Sequence, residues 1–550
     1  MLLHEIKVSA RSLFTRASLG VLLLGWLVPQ LAHAEVPGVT SLYPAGVQAG
    51  QAAKVKLLGP VGTAPVEVLV DRQDLTVAPS DKPDEYVITA TAEARPGVGW
   101  LRWHNAEGAS DLLPFVVGTM PEIQEVEPNN AAKEAQGIAS LPVTINGALD
   151  KRHEIDTFAI TLKAGQTLIA SLDANRTLPS PVDASMQIAD SKGFVVAQND
   201  DSFRFDPQIV FTAPVDGTWF VRIFGFPAEA NSSIEYTGSP NSIYRLHLTT
   251  GPAVDYLFPL VRQGGEFAAG GWNLTGEKVS LVGELGTLRL APLAGGAVPF
   301  TAFTVDQLPE PVGTAIVEDP ASASQPISIF SSTSGVVEAP GDVDTYRFMA
   351  TKGQTVRIRT HSRGVGSWLD PLVRLRNANG ELITEQDDKG DSADPSFDFT
   401  FPGDGEYILE VTDRYGHGSE RHFYSLVIGP EVPDFELSVA ANRFTLDRTK
   451  PLEIPVTINR LVGLNVPILF TVEGLPAGVT LEPIESKPEG DTAKAVTLKL
   501  SVAADAAAAK GPLRIIGQTT GPDLKHAAKG PINGLKVTTD NLWITLPVKP

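Results

Sequence analysis

The phrase Ile155-Asp156-Thr157-Phe158, followed nine residues after its Asp by Gly165-Gln166-Thr167, is written a second time as Val343-Asp344-Thr345-Tyr346 and Gly353-Gln354-Thr355. Downstream the correspondence keeps its register. Asp183 matches Asp370, Gly193 matches Gly380, Asp200-Asp201 matches Asp387-Asp388, and Asp206-Pro207 matches Asp394-Pro395. Asp216-Gly217-Thr218-Trp219 then matches Asp404-Gly405-Glu406-Tyr407, and each copy closes on a Tyr-x-Leu segment (Tyr244, Tyr424) and a Gly-Pro pair. The offset stays at 187–188 until the loop after the Trp/Tyr segment, where the first copy is longer. A register kept over so many positions marks two copies of one domain.

Inside each copy the apolar residues recur with period two. Phe158, Ile160 and Leu162 alternate with Thr157, Ala159 and Thr161, and Trp219, Val221 and Ile223 continue the pattern. Such runs place one face in a core and the other towards water, as half-buried strands do. Turn clusters such as Lys163-Ala164-Gly165 and Asp190-Ser191-Lys192-Gly193 interrupt them at short intervals. Many short strands with frequent turns predict an all-β fold of tandem β-sandwich modules. The helix-forming run at 503–510 is too short to alter that class and reads as a helical turn in a loop.

A smaller repeat precedes each large copy: Leu42-Tyr43-Pro44 with Gly50-Gln51 resembles Leu257-Phe258-Pro259 with Gly265-Glu266, at an offset of 215. After Pro430 comes a piece without a counterpart, in which Leu452-Glu453-Ile454-Pro455-Val456, Ile468-Leu469-Phe470-Thr471-Val472 and Val496-Thr497-Leu498-Lys499-Leu500 are strand-like. The expected modules are 35–119, 120–252, 253–317, 318–430 and 431–550, strung out as an elongated chain.

The 550 residues carry 44 Lys+Arg against 64 Asp+Glu, a net charge of −20, and no Cys. Without Cys there is no disulfide framework, thiol nucleophile, Cys-ligated zinc or iron–sulfur cluster. The acidity argues against nucleic acid, which needs a concentrated basic surface. At the start, Lys7, Arg11 and Arg16 precede the apolar run 17–28 and then Ala32-His33-Ala34. That order predicts a secretory signal peptide over 1–34, cut after Ala34, since a permanent span needs roughly 20 apolar residues. Its loss would remove three bases and one acid, leaving −22. The expected product is secreted or at the cell surface, extracellular or periplasmic, with no transmembrane anchor.

Glu125-Val126-Glu127-Pro128-Asn129-Asn130, Asp156-Thr157-Phe158, Ala164-Gly165-Gln166-Thr167-Leu168, Gln198-Asn199-Asp200-Asp201 and Phe211-Thr212-Ala213-Pro214 together resemble the bacterial pre-peptidase C-terminal domain. The second copy resembles it from Asp342 to about Gly429, with Glu318-Asp319-Pro320 in place of the upstream motif. The small modules are similar to Ig-like IPT/TIG domains, and the last piece to Ig-like domains with a Gly474-Leu475-Pro476-Ala477-Gly478-Val479 turn. The implied sandwiches are Ig-like and jelly-roll-like. The resemblance implies a non-catalytic role in secretion, localisation or substrate attachment. Through related collagen-binding modules it also implies calcium on Glu125, Glu127, Asn129, Asn130 and Asp156. His153 departs from the pattern where an Asp is expected, and the second copy lacks the Asn pair.

The residues themselves fit two readings. Calcium wants six to eight hard oxygens, and this short extended segment is rich in them. A polar linker in which Pro128 stops a strand and Asn129-Asn130 turns the chain is the reading the residues alone favour, and the resemblance brings the two level. Asn199-Asp200-Asp201…Asp206 and Asp387-Asp388…Asp391…Asp394 lack EF-hand spacing and read as solvated hairpin turns. His361, His417 and His422 share the second copy without metal-ligand spacing and read as loop-surface residues. No His-Glu-x-x-His, Gly-x-Ser-x-Gly, phosphate loop or dinucleotide fingerprint occurs. Trp219 reads as core. Trp368, before Asp370, is a better candidate for an exposed contact than Trp219, but because large aromatics are mostly buried the expected reading is a Trp covering one end of a sandwich.

These readings lead to a secreted, non-enzymatic binding or adhesion protein for extracellular protein or polysaccharide, with calcium as the implied ion. The alternative is an accessory or targeting subunit of a secreted peptidase or other hydrolase.

Overall fold

A computed structural model describes residues 35–549 apart from 203–204, 230–234, 261–264, 275–277, 283–288, 291–312, 391, 431–432 and 522. The leader read at 1–34, much of the second small module and Asp391 lie outside the described residues. Strands dominate, and no described helix is long and apolar enough to cross a membrane.

The two large copies share one topology. In the first, one five-stranded sheet runs Gln136–Gly137, Asp156–Leu162, Gly217–Pro227, Val182–Ala189, Val195–Asn199. The other runs Gln208–Thr212, Thr167–Asp173, Ile243–Thr249, Val143–Ala148, Glu122–Gln124. The second copy repeats both orders, from Gln325–Pro326 to Leu382–Gln386 and from Ser396–Thr400 to Thr314–Val317. Phe158, Ile160, Trp219, Val221 and Leu246 fill the first core, and Tyr346, Phe348, Tyr407, Leu409 and Leu426 the second. Trp219 is core as expected.

The repeated polar residues hold turns. Gly165 and Gly353 both take φ near +77° (77 and 78), a left-handed conformation that favours glycine. Gln166 Oε1 then accepts the Lys163 amide at 3.1 Å, as Gln354 Oε1 accepts that of Thr351 at 3.2 Å. Thr167 and Thr355 bond across to Thr212 and Thr400 at 2.8 and 2.7 Å. Asp216 and Asp404 accept the amides of Ala164 and Lys352 at 2.8 and 2.7 Å.

In the acidic loops Asp200, Asp201 and Asp388 are exposed, as expected of solvated turns, whereas Asp206 and Asp394 bind neighbouring backbone. Asp206 is fully buried and accepts the amides of Ala174, Asn175 and Arg176, and Asp394 likewise accepts those of Ser362, Arg363 and Gly364. Each clasps a neighbouring loop, because a carboxylate can satisfy several amides at once. The 503–510 run forms a turn in which the Ala506 amide donates to Ala503 O at 3.0 Å, and its last two residues open the strand Ala509–Thr519.

The joint between small and large modules is itself duplicated. Ala45, Ala148, Leu178 and Ile243 pack together at the first, and Leu260, Val336, Val365 and Phe423 at the second. The expected end-to-end string is corrected at the termini, because the first module also touches the last. Fully buried Arg102 donates to Asn541 O at 3.1 Å and to Asn442 at 3.4 Å, and Asn442 donates to Asp111 at 2.6 Å. His104 and Trp543 stack with ring centroids 4.6 Å apart.

Candidate functional site

Glu125 follows the edge strand Glu122–Gln124, Glu127 lies in the linker after it, and Asp156 opens the strand Asp156–Leu162. The fold brings the three together: one carboxylate oxygen from each lies within 4.8 Å of the others. The linker is pinned on both sides. Glu125 Oε1 accepts the Ala148 amide at 2.6 Å, and Gln136 Oε1 accepts the Val126 amide at 2.7 Å. Asn129 O accepts the Thr157 amide at 3.0 Å, which sets Asn129 beside Asp156.

Of the sequence-predicted ligands, Asn129 is fully buried, and neither its Oδ1 nor its Nδ2 finds a partner among the described residues. Asp156 Oδ1 is in the same condition. Buried polar atoms without partners are costly. Asn130 is exposed, and its Oδ1 accepts the Ile155 amide at 3.3 Å. His153 is exposed with φ +65°, where the second copy has Gly341 at +82°.

Tyr244 lies beneath the acids, its hydroxyl 2.6 Å from Asp156 Oδ2 and 3.0 Å from Glu125 Oε2. Tyr43 reaches over from the first small module and donates to Asn146 O at 3.1 Å. Burial, opposed by the Ala148 amide, lifts Glu125 to about 7, and burial together with the Glu125 charge lifts Asp156 well above the carboxylate range. Glu154, which sequence reasoning passed over, is buried and adds to this field, its own carboxyl raised by burial. Its signal was the Glu154-x-Asp156 spacing, two residues on one face of an extended segment.

The second copy keeps the framework with other acids. Glu318 takes the place of Glu125 and accepts the Val336 amide at 3.0 Å, and Tyr424 donates to Asp344 at 2.6 Å. Glu338, Asp342 and Asp344 gather within 4.8 Å. Burial raises Asp344 to about 9 and Glu338 to about 7. Tyr346 adds a hydroxyl 2.6 Å from that of Tyr424, where the first copy has Phe158.

The histidines divide. His361 is half-buried at the end of the strand Thr355–His361, and His422 is buried, so neither matches the loop-surface reading that fits His417. Trp368 is 50 % exposed, which favours the contact reading over the covering one.

The profile of the bacterial pre-peptidase C-terminal domain matches residues 154–225 and 342–413. The chain therefore carries two domains of this family, on the two duplicated sandwiches. Over 166 residues it is 30 % identical to a probable subtilase-type serine protease of Deinococcus radiodurans, a match taking in 30 % of this chain and 22 % of that protein. The chain thus spans about a fifth of the curated relative it matches. Among solved structures it is similar to the pre-peptidase C-terminal domain of a Bacillus anthracis collagenase, at 17 % identity over 20 % of this chain and 99 % of that one, with a TM-score of 0.16. A periplasmic inhibitor of g-type lysozyme from Aeromonas hydrophila is also similar, at 17 % identity over 21 % and 96 %, with a TM-score of 0.14.

Proposed function

We propose that the protein is an exported, non-catalytic attachment protein for extracellular protein or polysaccharide, with calcium bound where the first small module meets the first large copy. The observation that carries the calcium reading is the meeting of Glu125, Glu127 and Asp156 next to the unpartnered Asn129 amide. Three carboxylates and an amide oxygen are the hard donors that calcium takes. Asn130 stands in the same turn and completes the set. Bound there, the ion supplies the positive charge that the buried acids lack. It would also tie the linker to the strand that Asp156 opens, fixing the angle between the two modules.

Attachment rather than chemistry is favoured by what the repeated residues do. They hold turns, clasp loops and pair strands, and the half-exposed Trp368 and exposed Tyr415 offer flat faces for a sugar or peptide. Export rests on the leader pattern and suits a chain without cysteine.

A second reading, an accessory subunit of a secreted hydrolase, is favoured by the match to a probable serine protease. Co-sedimentation of the protein with insoluble polysaccharide and with fibrous matrix protein, in calcium and in chelator, tests the first reading. Calcium-dependent sedimentation weakened by Trp368→Ala supports attachment. A soluble protein that instead co-purifies with a hydrolase from culture medium supports the second.

A further inference from the structure

A second constellation stands apart from the calcium junction, in the second large copy. The strand Gly405–Asp413 ends at Asp413, and the loop after it carries His417 and returns through His422 into Phe423–Gly429. One donor atom from each of Asp413, His417 and His422 lies within 4.8 Å of the others. Asp413 is held firmly: Oδ1 accepts the Asp370 amide at 3.0 Å, and Oδ2 accepts those of Tyr415 and His417 at 2.9 Å. Buried His422 has Nδ1 2.8 Å from Ser419 Oγ, which fixes the ring and leaves Nε2 as its other nitrogen. An outer-shell hydrogen bond of this kind is how metal-bound imidazoles are oriented. The His417 side chain is 70 % exposed, with the ring beside that of Tyr415.

The first copy shows that the fold does not need these residues. A Cβ on Gly238 or on its counterpart Gly418 would run into the same carbonyl, that of Lys151 or Ala339, so the closing ends of the two loops, 237–243 and 417–423, correspond residue by residue. Ser239 and Ser419 donate to Leu149 O and Val337 O in the same way. In this alignment Asp413, His417 and His422 replace Gly225, Thr237 and Ser242. All three donor residues are thus particular to one copy of a shared loop.

We infer that Asp413, His417 and His422 form a binding site for a divalent transition ion of the zinc class, with a fourth position open to solvent beside Trp368 and Tyr415. Two imidazoles and one carboxylate suit a borderline ion, whereas calcium asks for six to eight oxygens. Zinc bonds of about 2.0–2.2 Å place tetrahedral donors roughly 3.4 Å apart, and His417 Nδ1 already lies 3.5 Å from Asp413 Oδ2. The site does not depend on the calcium or attachment readings.

The test uses the tag-free protein, stripped with chelator and held in about 1 mM calcium so that hard-oxygen sites are filled. Zinc is titrated by calorimetry, and cobalt by its visible absorption. One equivalent of zinc and a tetrahedral cobalt spectrum are expected. The double variant His417→Thr/His422→Ser, which installs the first copy's residues, should lose more than the roughly 10–100-fold that an outer-shell change costs. His417→Thr alone, at an exposed side chain, should also weaken binding, with the melting temperature in chelator unchanged. Wild-type protein that takes up no zinc, or a His417→Thr variant that binds like the wild type, would overturn the assignment.

Discussion

Tyr244 gives its hydroxyl to Asp156 at 2.6 Å, and the same pairing recurs between Tyr424 and Asp344 at 2.6 Å. In the first copy the hydroxyl also touches Glu125 at 3.0 Å. A phenol has one hydrogen and can satisfy one carboxylate with it. The remaining carboxyl must keep its own proton or face a cation, and in the first copy Glu127 and the unpartnered Asn129 amide stand beside it as further donors.

That choice has a pH signature. Burial lifts Glu125 to about 7, above its value in the unfolded chain, so the folded state binds this proton more tightly. The resulting stability is complete below about pH 4 and is lost as pH rises through about 7. Glu125→Gln cannot ionise. In chelator, wild type and variant should be similar at about pH 5, and the wild type should fall behind by about pH 8. Calcium should reverse the order at the higher pH. Thermal unfolding of both proteins across this range checks it.

Asp394 and Asp206 each clasp three amides of a neighbouring loop. Replacing either by Ala leaves those amides without their acceptor and should cost roughly 2–3 kcal/mol in urea unfolding. Similar losses from the two variants would show that the duplicated loops rest on one device.

His153 sits at φ +65° where the second copy has glycine. His153→Gly relieves a left-handed conformation worth roughly 1–2 kcal/mol, offset in part by glycine's greater freedom when unfolded. A net gain of about 0.5–1 kcal/mol is expected, and Gly341→His should lose a comparable amount. Denaturant midpoints of the two variants give the signs.

Arg102 joins the first module to the last through Asn442 and Asn541. Arg102→Ala strands buried acceptors and should cost roughly 2–3 kcal/mol. Small-angle scattering should then show a larger radius of gyration as the terminal modules separate.

The duplicated sandwiches were legible because period-two runs and turn residues are local, and the repeat multiplied the signal. Gly165 and Gln166 could be read as turn builders from their positions alone. Asp206 could not, because its partners, the amides at 174–176, are brought to it by a loop some 30 residues earlier. Of the calcium candidates, Glu125, Glu127 and Asp156 meet as expected, while Glu154, Glu338 and Asp342 were missed because strand alternation and loop closure decide which acids converge. His417 and His422 looked unrelated in sequence because Asp413, the residue that organises their loop, precedes them at the end of a strand. The contact between Arg102 and Asn442 leaves no trace in either local pattern, since it joins the first module to the last.

The most direct test is the thermal unfolding of the purified protein at about pH 7.5, in chelator and with rising calcium, beside Glu127→Ala. A melting temperature that climbs with calcium in the wild type and stays fixed in Glu127→Ala is the predicted result. A wild-type protein indifferent to calcium would contradict the ion-tied junction on which the account rests.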